Sequence, residues 1–221
     1  MAVNKADNGK RAIPTLVKDS ALVEERRRKI VEAAVALFVR KGYHPTTTRE
    51  IARAAGVSIG SLYEYVQSKE DVLYLVCDAI HREIEARLRE EIGEGKAAVE
   101  ILEDAMRGYF QVCDAMQDSI LLIYRETASL DRESQRYVLQ NEERITEIFA
   151  EILRQGLADG SFRFEGVQAL ALMSHNIVVL GHMWAFRRWF LRGKFNLDGY
   201  TRYQTSLILH ELTKGEEGEQ L

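Results

Sequence analysis

Apolar positions recur every three to four residues along almost the whole chain, the spacing of helices with one buried face. Ile30, Ala34, Leu37 and Phe38 mark such a face in a first helix over 21–41. Ser20 is its expected cap, Glu24 and Glu25 suit the positive end of its dipole, and Arg40 and Lys41 precede a terminating Gly42. Ile51, Ala52 and Ala55 give the inward face of a short second helix over 47–55, where Thr47 and Glu50 have the spacing of a reciprocal capping box. Gly56 supplies the turn, and Ser58 caps a third helix over 59–66. Ser68 and Asp71 repeat the capping pattern and open a long fourth helix over 69–91, with Val72, Leu73, Val76, Cys77, Ile80, Ile84 and Leu88 as its stripe. Past Gly93 and Gly95 the pattern predicts helices over 97–116, 118–129, 131–158, 166–191 and 197–214. No stretch alternates with period two and none repeats at a fixed period. The expected fold is all-α with about nine helices, and only Pro14 and Pro45 interrupt it.

Composition changes this picture little, but charge changes it. The 221 residues are 46% hydrophobic and 29% charged, ordinary for a globular protein. The net charge of −4 is unevenly spread. Residues 1–70 hold 13 basic and 8 acidic side chains, a net +5, and the remainder holds 17 and 26, a net −9. A basic head on an acidic body suggests that only the head meets phosphates. Residues 1–20 are polar, lack the apolar core of a signal peptide and read as a flexible arm; Lys5, Lys10, Arg11 and Lys18 could touch phosphates. Residues 215–221 read as a flexible tail. The longest apolar run, over 170–180, is broken by Ser174, His175 and Asn176 and falls short of the ~18–20 residues of a membrane span, so no membrane partner is expected.

Catalytic chemistry finds little support. No G-x-S-x-G, P-loop or H-E-x-x-H occurs, so no enzyme and no cofactor is expected. Cys77 and Cys113 lie in apolar helical patterns outside any C-x-x-C, which argues against a disulfide framework and fits a reducing cytoplasm. Cys77, His81 and Glu85 at i, i+4 and i+8 could mimic a metal edge, but the same positions read as a core stripe.

Two short helices joined by a glycine turn, at about 8, 3 and 8 residues, have the spacing of a helix-turn-helix that lays its second helix in a major groove. The run over 42–65, GYHPTTTREIARAAGVSIGSLYEY, continued by QSKEDVL over 67–73, resembles the signature of the TetR family of transcriptional regulators. The resemblance covers about a quarter of the chain and implies roles position by position. The third helix would be the recognition helix, with Ser58, Ile59, Ser61, Tyr63 and Tyr65 toward the groove, Leu62 inward, and Gly60 permitting close approach to DNA. Thr47 and Thr48 would offer hydroxyls and backbone donors to phosphate at a helix N-terminus, although Thr47 serves equally as a cap. Tyr63 would donate to a phosphate, Lys69 would clamp the DNA backbone, and Arg49 would meet a phosphate or the minor groove. Arg28, within the basic block Arg26, Arg27, Arg28 and Lys29, joins these contacts. Ile59 can meet a thymine methyl but reads no hydrogen-bond pattern. Val66 departs from the family, which usually has phenylalanine there.

For the remainder, residues 21–68 would form the DNA-binding domain and 69–214 the ligand-sensing and dimerisation domain. The last two helices would form a homodimer through Leu170, Ile177, Leu180, Met183, Phe186, Tyr203, Leu207 and Ile208, placing two heads on a palindrome. Tyr109, Phe110, Cys113, Tyr124, Phe149, Met173, His175, Asn176 and Trp184 would line a small-molecule pocket, though most read equally as ordinary core. His175 and Asn176 stand out, because polar groups inside an apolar helix need partners. The basic stretch over 187–194 faintly resembles acyl-CoA-sensing regulators of fatty-acid metabolism, or is a solvated helix end. The function implied is a repressor released from double-stranded operator DNA by a largely apolar effector, with the fourth helix transmitting the change. The alternatives are a ligand-independent architectural protein or a metal-dependent enzyme.

Overall fold

The computed structural model describes residues 13–92, 96–164 and 166–213. Lys5, Lys10, Arg11, Gly93, Gly95 and the tail over 215–221 lie outside the described residues. Among the described residues all regular structure is helical: α1 (Ser20–Lys41), α2 (Thr48–Ala54), α3 (Ile59–Tyr65), α4 (Lys69–Glu91), α5 (Ala98–Ala115), α6 (Gln117–Glu126), a 3-10 turn (Thr127–Ser129), α7 (Arg132–Asp159), α8 (Val167–Phe186), α9 (Arg188–Leu191) and α10 (Leu197–Thr213).

The caps set these boundaries. Asp19, not Ser20, caps α1: its Oδ1 accepts from the backbone N–H of Ala21 and Leu22 at 3.0 and 3.2 Å. The helix therefore starts one residue earlier than expected, and no acidic residue falls in its first turn. Glu25 instead accepts from Lys29 at 2.7 Å, and that bond holds its carboxyl below the usual range. The capping box at α2 is present, with Thr47 N donating to Glu50 Oε2 at 2.9 Å and Glu50 N to Thr47 Oγ1 at 3.3 Å. Asp71 Oδ2 accepts from the N–H of Gln67 and Ser68, and Ser68 Oγ accepts from the N–H of Asp71, closing the turn before α4. Gly42 and Gly56 have φ of 89° and 71°, values that favour glycine over any L side chain. The expected eighth helix is two helices. Arg187 leaves helical geometry at φ −105° and ψ 21°, and its guanidinium lies 5.2 Å from the Trp189 ring.

The chain forms two compact units. The first comprises residues up to His81 together with Leu122–Asn141; the second comprises Arg82–Leu121 and the residues from Glu142 onward. In the first unit α1, α2 and α3 pack on one another around Ile30, Ala34, Phe38, Ile51, Ala52 and Leu62, each no more than 2% exposed. Val66, at the position where the family usually has phenylalanine, is fully buried. On α4 Tyr74 stacks near Tyr137 of α7, ring centroids 5.3 Å apart, and the Tyr137 hydroxyl donates to buried Asp78 at 2.8 Å. His44, in the turn after α1, brings Nε2 within 3.5 Å of Ser129 Oγ and 3.7 Å of Glu126 Oε2.

In the second unit α5 is the central helix, packed by α8 and α10. Gly181 allows the approach of α8: a Cβ there would stand 2.5 Å from Tyr109 Cε1 and 3.0 Å from Cys113 Sγ. By length and composition α8 is long and apolar enough to cross a membrane, which corrects the expectation that no apolar stretch qualifies. One side of it is buried within the unit, at Ser174, Ile177, Val178, Gly181 and Trp184.

Candidate nucleic-acid interface

Residues 13–19 do not form a free arm. Ile13 is buried, Leu16 N donates to Glu64 O at 3.1 Å, and Thr15 Oγ1 donates to the same oxygen at 2.8 Å. Arg27 makes the tie: its Nε and Nη2 donate to Tyr65 O at 3.0 and 2.9 Å, and Nη2 also to Ile13 O at 2.7 Å. One arginine of the basic block thus fixes the C-terminal end of α3. Helix periodicity could not single it out from its neighbours. Arg28 is exposed and paired with Glu32 at 2.6 Å, a surface ion pair that contributes little to stability and leaves the side chain near solvent.

Ser58 caps α3, its Oγ accepting from Ser61 N at 3.0 Å. Leu62 and Tyr65 anchor the helix, at 0% and 4% exposure. Burial of Tyr65 corrects its expected place in the groove: three residues on from Leu62, it falls on the same inward face. Ile59 and Tyr63 are 37% and 45% exposed, and Ser58 and Gly60 are also exposed. A Cβ on Gly60 would meet only Ser58 Oγ at 3.8 Å, so packing within the chain does not require glycine there. The Tyr63 hydroxyl lies 3.2 Å from Thr48 Oγ1, which joins the start of α2 to the outer side of α3. Arg49 is exposed beside them.

Thr47 is exposed, but its hydroxyl is engaged by Glu50, both donating to Oε2 at 2.8 Å and accepting from Glu50 N. The bond from Lys41, at 2.6 Å, and those from Thr47 push the Glu50 carboxyl down to about 2. Lys69 is corrected outright. Its ammonium donates to the carbonyls of Tyr43, His44 and Thr46 at 3.2, 3.1 and 3.1 Å and sits 4.3 Å from the Tyr43 ring centroid. All three donors of an ammonium are thereby used on the protein's own turn. Beneath it the Tyr43 phenol is pushed up to about 12, chiefly by burial.

The expected ligand-lining residues divide. Tyr109, Phe110, Cys113, Phe149 and Trp184 are buried. Tyr109 lies 6.2 Å from Phe110 and 5.4 Å from Phe149, centroid to centroid. Burial pushes the Cys113 thiol up to about 12. Met173 is half-buried, and Tyr124, 46% exposed, belongs to the other unit. His175 and Asn176 are exposed, so they need no buried partner within the chain and the inference from them is corrected. The buried histidine of α8 is His182, whose Nε2 lies 2.8 Å from Tyr109 OH and whose Nδ1 lies 3.8 Å from Glu142 Oε1. It sits seven residues on from His175, two helical turns away, and it shares with Gly181 the face toward α5. Among the expected dimer residues, Ile177 and Ile208 are corrected to core, at 0% and 9% exposure. Leu170, Leu180, Met183 and Phe186 are half-buried, while Tyr203 and Leu207 are 66% and 64% exposed.

The metal-like stripe is structural. His81 Nδ1 lies 2.8 Å from Cys77 O, and burial pushes the Cys77 thiol up to about 12. Among the described residues no group of three or more histidine, cysteine or acidic side chains is gathered to hold a metal.

A three-helix head with an anchored, capped and solvent-facing α3, in an all-helical chain, defines a helix-turn-helix DNA-binding protein. Residues 30–74 match the family described as bacterial regulatory proteins, tetR family, and residues 95–212 match the tetracyclin repressor-like C-terminal domain. The transcriptional regulator HbdR of Aromatoleum sp. strain CIB is 33% identical over 198 residues, 90% of this chain and 85% of that protein. The transcriptional repressor KstR2 of Rhodococcus jostii RHA1 is 26% identical over 201 residues, 90% and 97% of the two chains. The structure of AibR in complex with isovaleryl coenzyme A and operator DNA superposes with a TM-score of 0.67 at 20% identity, covering 82% of this chain and 97% of that one. The chain belongs to the TetR family and is a DNA-binding transcriptional regulator.

Proposed function

We propose that this regulator is a cytoplasmic homodimeric repressor, with residues 21–68 reading a palindromic operator and 69–214 sensing an effector and dimerising. The exposed outer side of α3 carries the reading. Ile59, Gly60, Ser61 and Tyr63 would meet the groove, and Thr48, Arg49 and the Tyr63 hydroxyl would meet phosphates. Thr47 supports them by capping α2, and Arg28 adds charge nearby. A single head of this size gives too little affinity to mark one genomic position, so two are needed about one helical turn apart. The apolar residues that would join the copies are Leu172 on α8 and Tyr203 and Leu207 on α10, all at least 60% exposed.

The effector reading is a small, largely apolar molecule seated among Tyr109, Phe110, Cys113, Phe149 and Trp184, with the Tyr109–His182 contact as its polar handle. An acyl-CoA is the class we favour. Supporting it is the turn after α8, where Arg187 lies over Trp189 and Phe190, Lys194 lies over Phe190, and Arg192 lies over Trp184. Beside it runs a groove of about 680 Å³ lined by Asp114, Trp184, Arg192, Lys194 and Phe195. Arg192 is paired with Asp114 at 2.6 Å, whereas Lys194 lies 5.2 Å from the Phe190 ring. The effector must bind the DNA-competent and released states unequally, or it shifts nothing.

Gel-shift titration with the DNA upstream of the regulator's own gene tests the proposal. Binding that Tyr63→Ala abolishes and an acyl-CoA ester relieves supports both parts. Binding that ignores every ester discards the ligand class and keeps the repressor. A protein that selects no sequence from a genomic library would refute operator reading.

A further inference from the structure

A second groove lies in the same unit between α5 and α10, about 470 Å³ in volume. It is lined by Glu103 and Arg107 of α5 and by Thr201, Arg202, Thr205 and His210 of α10, among others. None of these belongs to the ring cluster around Tyr109. On α10, Thr201 and Thr205 stand one turn apart on one side, while Tyr203 and Leu207 lie on another.

Two features of this groove suit an anionic ligand. Thr205 is 8% exposed, and its Oγ1 is buried with no hydrogen-bond partner among the described residues. A buried hydroxyl left unsatisfied loses its hydrogen bond to water without replacement, so a group that satisfies it is favoured. The second is charge. Arg107 and Glu103 line the groove's α5 wall, and Arg202 lines its α10 wall. Arg107 spends one N–H on Asp104 at 2.7 Å and keeps the rest of its fork. Arg202 is exposed and makes no ion pair among the described residues.

We infer that this groove binds a small metabolite through its oxyanion, a carboxylate or a phosphate. Arg202 and Arg107 neutralise the anion, and Thr205 Oγ1 donates to one of its oxygens. The site is independent of the acyl-CoA proposal and of operator reading.

Thermal melting of the full-length protein tests it, in inorganic phosphate and separately in succinate, each against sodium chloride at matched ionic strength and pH. At ten times the dissociation constant the melting temperature rises by roughly 3–6 °C. A rise with phosphate alone assigns a phosphate-bearing ligand, and a rise with succinate alone a carboxylate. Arg202→Gln abolishes the rise and Thr205→Val diminishes it. Without anion, Thr205→Val melts at or above the wild-type temperature, because it removes an unsatisfied hydroxyl. No rise with either anion overturns the inference. So does a rise that survives Arg202→Gln, which is general salting-out, or a Thr205→Val protein that melts lower without anion.

Discussion

Replacing Lys69 with methionine separates two roles that the sequence made to look alike. Methionine keeps an apolar stem over Tyr43 but removes the ammonium that binds the carbonyls of Tyr43, His44 and Thr46 at 3.1–3.2 Å. A hydrogen bond to a charged group is worth about 1.5–3 kcal/mol. Three do not add here, because His44 is exposed and water reaches the turn to replace part of what is lost. The cation–π contact at 4.3 Å adds about 0.5–1 kcal/mol. We take one such bond and the ring contact as the net loss, about 2–4 kcal/mol. For a chain of this length that lowers the melting temperature by roughly 4–16 °C. Operator affinity measured across salt concentrations supplies the contrast. A lysine that neutralises a phosphate takes about one unit of salt slope with it when removed. Lys69→Met is expected to leave the slope unchanged while the protein melts lower. A variant that melts with the wild type and loses a unit of slope would show that Lys69 leaves the turn for DNA.

Gly181→Ala forces a Cβ to 2.5 Å from the Tyr109 ring, and overpacking of this kind costs about 1–3 kcal/mol, offset by up to ~1 kcal/mol of helix propensity; calorimetry finding Gly181→Ala more stable than wild type would contradict the packing described. Glu50 titrates near 2, below an ordinary carboxyl, so the stability it contributes is present above the usual carboxylate range and lost as pH falls toward 2. Urea denaturation of Glu50→Gln should therefore show a deficit at pH 6 that narrows at pH 3, and a deficit constant with pH would refute the assignment. Cys77 and Cys113 are buried thiols raised to about 12, so a thiol-specific disulfide reagent at pH 8 should label neither until the protein unfolds.

The head was the legible part because its signals are local. Cap spacing places Thr47 and Ser58, since each acts within three residues of its own position, and the family resemblance places Leu62 and Tyr63. Lys69 and Arg27 were missed for the opposite reason. Their partners lie 23–26 and 38 residues away in the chain, and a flexible basic side chain gives no hint of which carbonyl it will reach. In the body, periodicity separates helix from loop but cannot orient α8. That helix is apolar nearly all round, so the pattern does not distinguish exposed His175 from buried His182. Tertiary packing settles it, through the close approach that Gly181 permits.

The first compact unit is discontinuous in sequence, and that bears on synthesis. Asp78 meets Tyr137 and His44 meets Ser129 only after residues up to Asn141 have been made. A ribosome adding roughly 5–20 residues per second needs about 3–12 s to go from His81 to Asn141. During that interval the nascent helix-turn-helix lacks its buttress, and α4 presents Tyr74 and Asp78 without their partner on α7. The order of emergence from the ribosome delays the finished head until well into the second half of translation.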